Sequence, residues 1–335
     1  MTRHGFHPLA PILVAALACF LVASAAAQTD TIPEGVNEVT ASPAASHNYW
    51  TSGAPMPIPV TYQMTGVISA KIYNVGGHSA GAGVVGDNQV YNPAANTWST
   101  GAPLPTPTLN AATAVAKSLL FIFGGSTTSG VTNAVWAYNP KTNSWAAKAA
   151  MPTARQGAVA VELNNIIYVI GGNDNKDRLD TVESYNPTTN SWTTEAPLLV
   201  AKARPTNGLL GTTIIAAGGL TDSGVTGDNE SYDTSTNMWT SLASDPTPRS
   251  HTCNGVAAGY LYSAGGAAGA SETAVALNEE FSLSKNKWTT VASMPQAVAA
   301  AGSVIYQGLL YCFGGSAEIS IPPGSIYNNV QIYHP

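Results

Sequence analysis

Short apolar runs alternate with polar turns along most of this chain. One stretch shows the pattern clearly, with four runs at 157–163, 166–170, 181–185 and 191–194. Asn164 and Asn165 separate the first two runs, and the turn at 186–190 separates the last two. Runs of four to seven residues bounded by turn-forming residues predict β-strands. The pattern therefore predicts a repeating unit of four short antiparallel strands.

The unit recurs with a period of 47 to 49 residues. A glycine pair ends the second run of every unit, at Gly76-Gly77, Gly124-Gly125, Gly171-Gly172, Gly218-Gly219, Gly265-Gly266 and Gly314-Gly315. Tryptophans follow the same spacing, at Trp50, Trp98, Trp145, Trp192, Trp239 and Trp288. Because two residue classes share one period, the chain is predicted to be a repeat protein with six units.

Apolar residues before a glycine pair, followed by a spaced Tyr and Trp, resemble the kelch repeat. A Tyr-Asn-Pro turn adds to the likeness at Tyr91, Tyr138 and Tyr185. The resemblance covers the chain from Trp50 to Pro335. It implies a β-propeller, in which four-stranded blades surround a central axis. The glycines would then permit tight turns and close sheet packing, and Tyr and Trp would fill the space between blades.

The two ends of the repeat region complement each other. The chain stops at Tyr333-His334-Pro335, the end of a third strand, while 46–50 matches the turn and fourth strand of the other units. We therefore predict that residues 46–335 form an all-β, six-bladed kelch-type propeller whose last blade is closed by the N-terminal strand. Such closure leaves no free sheet edge.

The first 27 residues have the features of a secretory signal peptide. Arg3 precedes an apolar run from Leu9 to Val22, and small residues reach Ala27. The run is too short for a transmembrane helix, and lipid attachment through Cys19 is disfavoured because the run continues past it. We expect cleavage near Ala27, a linker at 28–45, and a secreted or periplasmic protein without a transmembrane anchor.

Charge and cysteine content narrow the function classes. Only 10% of residues are charged, whereas 7 Trp and 14 Tyr supply ample core, which disfavours disorder. Loss of Arg3 with the signal peptide leaves 12 basic and 19 acidic residues, a net charge of −7, so we expect no nucleic-acid partner. We interpret Cys253 and Cys312 as separate buried side chains, with a disulfide as the alternative.

A basic arc is the leading candidate site. Two positions, 16 and 14 residues before each glycine pair, should lie near the mouth of the central channel, on the face that carries the long loops. Basic residues and possible hydrogen-bonding neighbours occupy these positions at Arg155, Lys202, Arg204, Arg249, His251, Tyr62 and Asn110. The kelch resemblance implies pocket-lining roles for Arg155 and Arg249. Because arginine donates paired hydrogen bonds to planar oxyanions, the arc predicts a carboxylate or other anion as ligand.

The opposing interpretation is that nearby acids neutralise this arc. Acidic residues in the adjoining loops are Asp174, Asp177, Asp180, Asp222, Asp228, Glu230 and Glu272. A metal centre needs three or four convergent ligands. Only His78 and His251, of the four histidines after residue 27, fall on the long-loop face, and they lie in non-neighbouring units. We therefore expect no metal and no cofactor.

Three functions remain open at this stage. The first is a monomeric, non-enzymatic binding module for a glycan, peptide or protein at the channel mouth, and regular blades without long insertions favour it. The second is an enzyme acting on an acidic sugar, resembling the exported kelch propellers that are sialic-acid mutarotases, with Asp180 or Glu230 as general acid or base. The third is a structural component of the envelope.

Overall fold

The computed structural model describes residues 47–320 and 324–335. This part of the chain is built from β-strands, turns and loops, and it contains six four-stranded antiparallel sheets. The predicted signal peptide at 1–27 and linker at 28–45 lie outside the described residues. Among the described residues, no helix is long and apolar enough to cross a membrane.

The sheets are the blades of a propeller, numbered here in chain order. Blade 1 contains Met64–Ile68, Lys71–Val75, Asn88–Asn92 and Thr97–Gly101, and blade 2 contains Ala112–Ala116, Leu119–Phe123, Val135–Asn139 and Ser144–Lys148. Blade 3 contains Val159–Leu163, Ile166–Ile170, Val182–Asn186 and Ser191–Thr194, and blade 4 contains Thr206–Leu210, Thr213–Ala217, Asn229–Asp233 and Met238–Leu242. Blade 5 contains Cys253–Ala257, Tyr260–Ala264, Asn278–Ser282 and Lys287–Val291, and blade 6 contains Gly302–Tyr306, Leu309–Phe313, Val330–His334 and Tyr49–Gly53.

The loops after the second strands carry additional two-residue strands. These are His78–Ser79 with Gly83–Val84, Ser126–Thr127 with Gly130–Val131, Leu220–Thr221 with Gly224–Val225, and Ala267–Ala268 with both Arg249–Ser250 and Thr273–Ala274. They give these loops regular backbone hydrogen bonding. The face that carries them is therefore an ordered surface on a rigid scaffold.

The first strands of the blades surround the axis. Each first strand contacts the first strands of the neighbouring blades, and that of blade 6 contacts that of blade 1. The N-terminal strand completes blade 6, since Tyr49 pairs with His334 and Gly53 pairs with Val330 in antiparallel register. This is the pairing predicted from the two ends of the repeat.

The periodic Trp and a periodic Asn join neighbouring blades. Trp145 Nε1 donates to the Ala102 carbonyl at 2.9 Å, and the Ala102 N–H donates to Asn143 Oδ1 at 2.7 Å. The same Trp–Ala contact occurs at Trp50–Ala292, Trp98–Ala54, Trp192–Ala149, Trp239–Ala196 and Trp288–Ala243. Because each indole N–H is used in this way, the tryptophans have a structural role, as their strict spacing predicts.

The glycine pairs bring the chain close to the next blade. Gly124 and Gly125 have φ values of 62° and 95°, and a Cβ on Gly124 would overlap the Arg155 carbonyl oxygen. The Gly125 N–H donates to that same carbonyl at 2.9 Å. Positive φ and this close approach both require glycine.

Cys253 and Cys312 form a disulfide, with their Cα atoms 5.9 Å apart. The expectation of two separate thiols is therefore wrong. The residues lie in different units, but Cys253 begins the first strand of blade 5 and Cys312 lies in the second strand of blade 6. Packing between adjacent blades brings these strands within disulfide distance.

Candidate functional site

Six residues form a closed hydrogen-bonded ring around the axis, one from each blade unit. They are Tyr62, Asn110, Gly157, Arg204, His251 and Ala300, and the N–H of each donates to the carbonyl of its neighbour over 2.7 to 3.4 Å. All six have positive φ, between 53° and 63°. These are the positions 14 residues before the glycine pairs. The ring lines a cavity of about 110 Å³, here called the mouth pocket.

Arg204 is the basic side chain in the mouth pocket. Its Nε donates to Asn110 Oδ1 at 3.1 Å, and its guanidinium carbon lies 5.6 Å from the centre of the Tyr62 ring. Within the described part of the chain, the two terminal nitrogens of Arg204 have no hydrogen-bond partner. One edge of the guanidinium is thus fixed by Asn110 and Tyr62, while its paired terminal donors remain available to a ligand.

Tyr62 holds the pocket against the long-loop face. Its hydroxyl donates to the Ile319 carbonyl at 2.7 Å, in the loop after the second strand of blade 6. Burial raises the pKa of Tyr62, while Arg204 opposes this effect and Glu272 adds to it. The phenol is therefore neutral at physiological pH. The mouth pocket opens on the face that carries the long loops.

His251 supplies a neutral imidazole beside Arg204. Its Nδ1 lies 2.7 Å from Ser250 Oγ, and its ring meets Tyr62 edge to face at 5.7 Å. The Nε2 atom is buried and has no partner among the described residues. Burial lowers the pKa of His251 well below its ordinary value, and the positive charges of Arg204 and Arg178 lower it further. The unpaired Nε2 makes this side chain a second polar group for a ligand.

Arg178 adds positive charge to this region and was missed from the sequence. It lies in the loop after the second strand of blade 3, where its charge lowers the pKa of both Arg204 and His251. Its Nε is buried without a partner in the described residues, and its backbone N–H donates to Asp222 Oδ1 at 3.2 Å. The signal available in the sequence was a basic residue in a long loop, which an alignment of the strand entries does not examine.

The other three basic candidates lie away from the mouth pocket. Arg155, Lys202 and Arg249 are fully buried, and each contacts a glutamate in the third strand of its blade. The pairs are Arg155–Glu183 at 2.8 Å, Lys202–Glu230 at 2.8 Å and Arg249–Glu279 at 2.6 Å. The expectation that these three line the pocket is not met, because internal ion pairs take up their charges. Two of the partners, Glu183 and Glu279, lie in strands and were not among the loop acids considered.

Burial affects these pairs differently. It lowers the pKa of Arg155 to about 10, with Glu183 opposing the shift. It raises the pKa of Glu279, and the neighbouring Asp245 carboxylate adds to this effect while Arg249 opposes it. Such pairs hold the strand entries to the blades but offer no free charge to a ligand.

The two carboxylates considered as general acid or base are not in the mouth pocket. Glu230 is 1% exposed, pairs with Lys202 and accepts the Leu199 N–H at 2.7 Å. Asp180 is exposed, and it is not among the residues that line the pocket. Within residues 47–320 and 324–335, no group of three or more His, Cys, Asp or Glu side chains is placed to hold a metal ion.

A second cavity of about 290 Å³ continues from the mouth pocket along the axis and is here called the axial channel. Both cavities share walls at Gln63, Ala111, Ala158, Val159 and Ala301. Its neutral polar lining includes Thr65, Thr113, Asn207, Asn254 and Ser303, each the second residue of a first strand. A ligand anchored at the mouth thus has room to extend inward.

Comparisons with known proteins agree with this architecture. The Attractin/LZTR1 beta-propeller family model matches residues 72–282. The solved structure of YjhT aligns with a TM-score of 0.72 and 20% sequence identity, covering 83% of this chain and 96% of that chain. At that identity the structural likeness shows the fold alone. No protein with a curated description matches this sequence.

Proposed function

The chain belongs to the Attractin/LZTR1 β-propeller family, and from this premise we propose that it is a binding module that recognises a carboxylate at its mouth pocket. The observation that carries the proposal is Arg204, whose terminal nitrogens have no partner among the described residues while its Nε is held by Asn110. A fixed guanidinium with two free donors suits the two oxygens of a carboxylate.

The surroundings of Arg204 support an anionic ligand. Arg178 contributes a second positive charge, and neutral Tyr62 and His251 add no competing negative charge. Pairing in a partly buried site is stronger than in bulk water because the effective dielectric constant is lower. Glycans with uronic or sialic acids and peptides with a free carboxylate are the candidate ligands.

A thermal-shift measurement tests this function. Glucuronate should raise the Tm of the wild-type protein, glucose should have a smaller effect, and Arg204→Gln should abolish the shift. Lys285→Gln is the matched control, because Lys285 is an exposed basic residue far along the chain from the ring. Equal stabilisation of wild type and Arg204→Gln, or no stabilisation at any soluble concentration of uronate, sialic acid or acidic peptide, would contradict the proposal.

Catalysis on an acidic sugar is a second candidate, and His251 favours it. A neutral buried imidazole beside a carboxylate-binding arginine can move a proton, for example during interconversion of sugar anomers. NMR of anomer exchange separates the two functions. Acceleration by wild type but not by His251→Asn supports an enzyme, and exchange at the uncatalysed rate with bound ligand supports a binding module.

Export is part of the same proposal. The disulfide Cys253–Cys312 supports an oxidising compartment, because disulfides are rare in reducing cytosol. We expect the mature protein to begin near Gln28 and to remain monomeric. N-terminal sequencing of the secreted or periplasmic fraction and its mass in solution test both points, and an intact Met1 in that fraction would contradict cleavage.

A further inference from the structure

The axial channel differs in chemistry from the mouth pocket. No charged side chain lines the axial channel among the residues described, whereas Arg204 and His251 line the mouth. Small residues such as Ala112, Gly255 and Gly302 leave space between the first strands. A second charge on a ligand would lose solvation there without gaining a partner, so the channel favours neutral groups.

The polar side chains of the channel are held in fixed positions. Asn207 Nδ2 donates to the Ala160 carbonyl, and the Asn207 N–H donates to Asn254 Oδ1, both at 3.4 Å. The Asn254 N–H then donates to Ser303 Oγ at 3.1 Å. These bonds run from blade to blade around the axis. The amides and hydroxyls are therefore oriented before a ligand arrives, which lowers the entropy lost on binding.

Gln63 lies where the mouth pocket and the axial channel meet. Its side chain is 8% exposed, and Nε2 donates to the Phe313 carbonyl at 2.6 Å. Its Oε1 is buried without a partner in the described residues, although Gln63 lines both cavities. A buried acceptor without a donor is unfavourable, and a ligand hydroxyl would supply that donor.

We propose that the axial channel binds the neutral, hydroxylated part of the ligand whose carboxylate is held by Arg204. This rests on the proposed function and names its ligand class as a sugar acid. Gln63 Oε1 accepts a ligand hydroxyl at the junction, and Asn207, Asn254 and Ser303 bond further hydroxyls along the wall. A cavity of about 290 Å³ closed by six blades suits one monosaccharide rather than a peptide chain with large side chains.

Calorimetric titration of the full-length mature protein with four probes tests the proposal. Cyclohexanecarboxylate carries the carboxylate on a ring without hydroxyls, glucose carries hydroxyls without a carboxylate, and glucuronate carries both. A disaccharide with a non-reducing terminal glucuronate is the fourth probe. We expect glucuronate to bind at least about tenfold more tightly than cyclohexanecarboxylate, a difference of about 1.4 kcal/mol.

Variants assign that difference to the channel. Asn207→Val and Gln63→Met should weaken glucuronate binding about tenfold and change cyclohexanecarboxylate binding less than about twofold. Arg204→Gln should weaken both. Thr290→Val on the outermost strand of blade 5 is the control for the same kind of substitution at an exposed site, and it should change neither.

The outcomes separate this inference from the function on which it rests. Equal affinity for glucuronate and cyclohexanecarboxylate, both dependent on Arg204, would overturn the channel inference and leave the carboxylate site standing. No binding of any carboxylate would overturn both. The ligand comparison uses the wild-type protein, so it remains decisive even where a channel variant fails to fold. Binding of glucuronate alone indicates a free sugar acid, and binding of the disaccharide as well indicates the end of a glycan.

Discussion

Arg155, Lys202 and Arg249 show how one repeat position can serve packing rather than recognition. The base and its glutamate occupy matching positions in blades 3, 4 and 5. Blades 1 and 6 have valine at the basic position and glutamine at the acidic one. Gln89 and Gln331 there bond the backbone of Ile58 and Gln296, respectively. Both solutions satisfy the same buried location, so the ion pair is replaceable only as a pair.

Substitution of Arg155 tests this interpretation. Arg155→Val leaves Glu183 buried without its cation and should lower the free energy of unfolding by about 3–5 kcal/mol. Arg155→Val combined with Glu183→Gln copies the arrangement of blades 1 and 6 and should recover most of that loss. Urea denaturation of both variants provides the measurement. A double variant no more stable than the single one would contradict the pairing argument.

His251 gives the stability of the protein a pH dependence. Its pKa is well below 6.5 in the folded protein, because of burial and two nearby arginines, and near 6.5 when unfolded. The unfolded state therefore binds more protons between these values, and stability falls as pH decreases below about 6.5. We expect a loss of more than about 1 kcal/mol between pH 7 and pH 5.

Urea denaturation of wild type and His251→Gln across this pH range measures the effect. The variant should retain more of its stability at pH 5, because it has no imidazole to protonate at that position. Parallel curves for the two proteins would show that His251 does not titrate in the way its buried position requires.

At the residue level, the sequence located the ring but not the use of every side chain. Alignment on the glycine pairs brought Tyr62, Asn110, Arg204 and His251 into one site, as the structure does. It also included the residues two positions earlier, whose side chains are buried in the blades. The positive φ at the ring positions turns the chain between them, and no spacing rule reveals that turn.

The N-terminal strand is the element that completes the fold. Tyr49–Gly53 pairs with Val330–His334, Trp50 Nε1 donates to the Ala292 carbonyl, and Asn48 Oδ1 accepts the Ala292 N–H. These are the contacts that every other fourth strand makes with the preceding blade. The strand was predictable from the sequence because it repeats the Asn-x-Trp pattern of the other units.

Removal of this strand should expose an edge of blade 6. A protein that begins after Ala54 should unfold at lower urea concentration and self-associate through the edge. A protein that begins at Ser46 is the control and should behave as the mature protein. Light scattering after gel filtration measures the association, and a monomeric shortened protein of unchanged stability would contradict the closure role.

The disulfide links the two blades that precede closure. Cys253 and Cys312 are separated by 59 residues, so the bond restricts a large loop in the unfolded chain. Replacement of both by alanine should lower the free energy of unfolding by about 2–4 kcal/mol. Reduction of the wild type should give a similar loss, measured by urea denaturation with and without reductant. Insensitivity to reductant would contradict the bond.

The sequence left this cysteine pairing open for a physical reason. Period and spacing place each cysteine on a strand, but they do not give the side-chain direction across a blade interface. Packing of the first strand of blade 5 against the second strand of blade 6 decides it. Elements were therefore predictable from the repeat, whereas contacts between elements required the structure.

Across the whole molecule, sixfold repetition builds the scaffold and departures from it create the site. The Trp–Ala contacts and the glycine turns recur in every blade, whereas the ring side chains are Tyr, Asn, Gly, Arg, His and Ala. Only one of those six is a cation, so the pocket has a defined orientation for an anion. The repeat pattern predicts the scaffold directly, and the ligand depends on the residues that break it.

The most direct test is a crystal structure of the protein with glucuronate bound. The account predicts a carboxylate oxygen within hydrogen-bonding distance, about 2.7–3.2 Å, of a terminal nitrogen of Arg204, with sugar hydroxyls directed toward Gln63 and the axial channel. Glucuronate bound elsewhere on the propeller, or bound in the mouth pocket with its carboxylate away from Arg204, would contradict it.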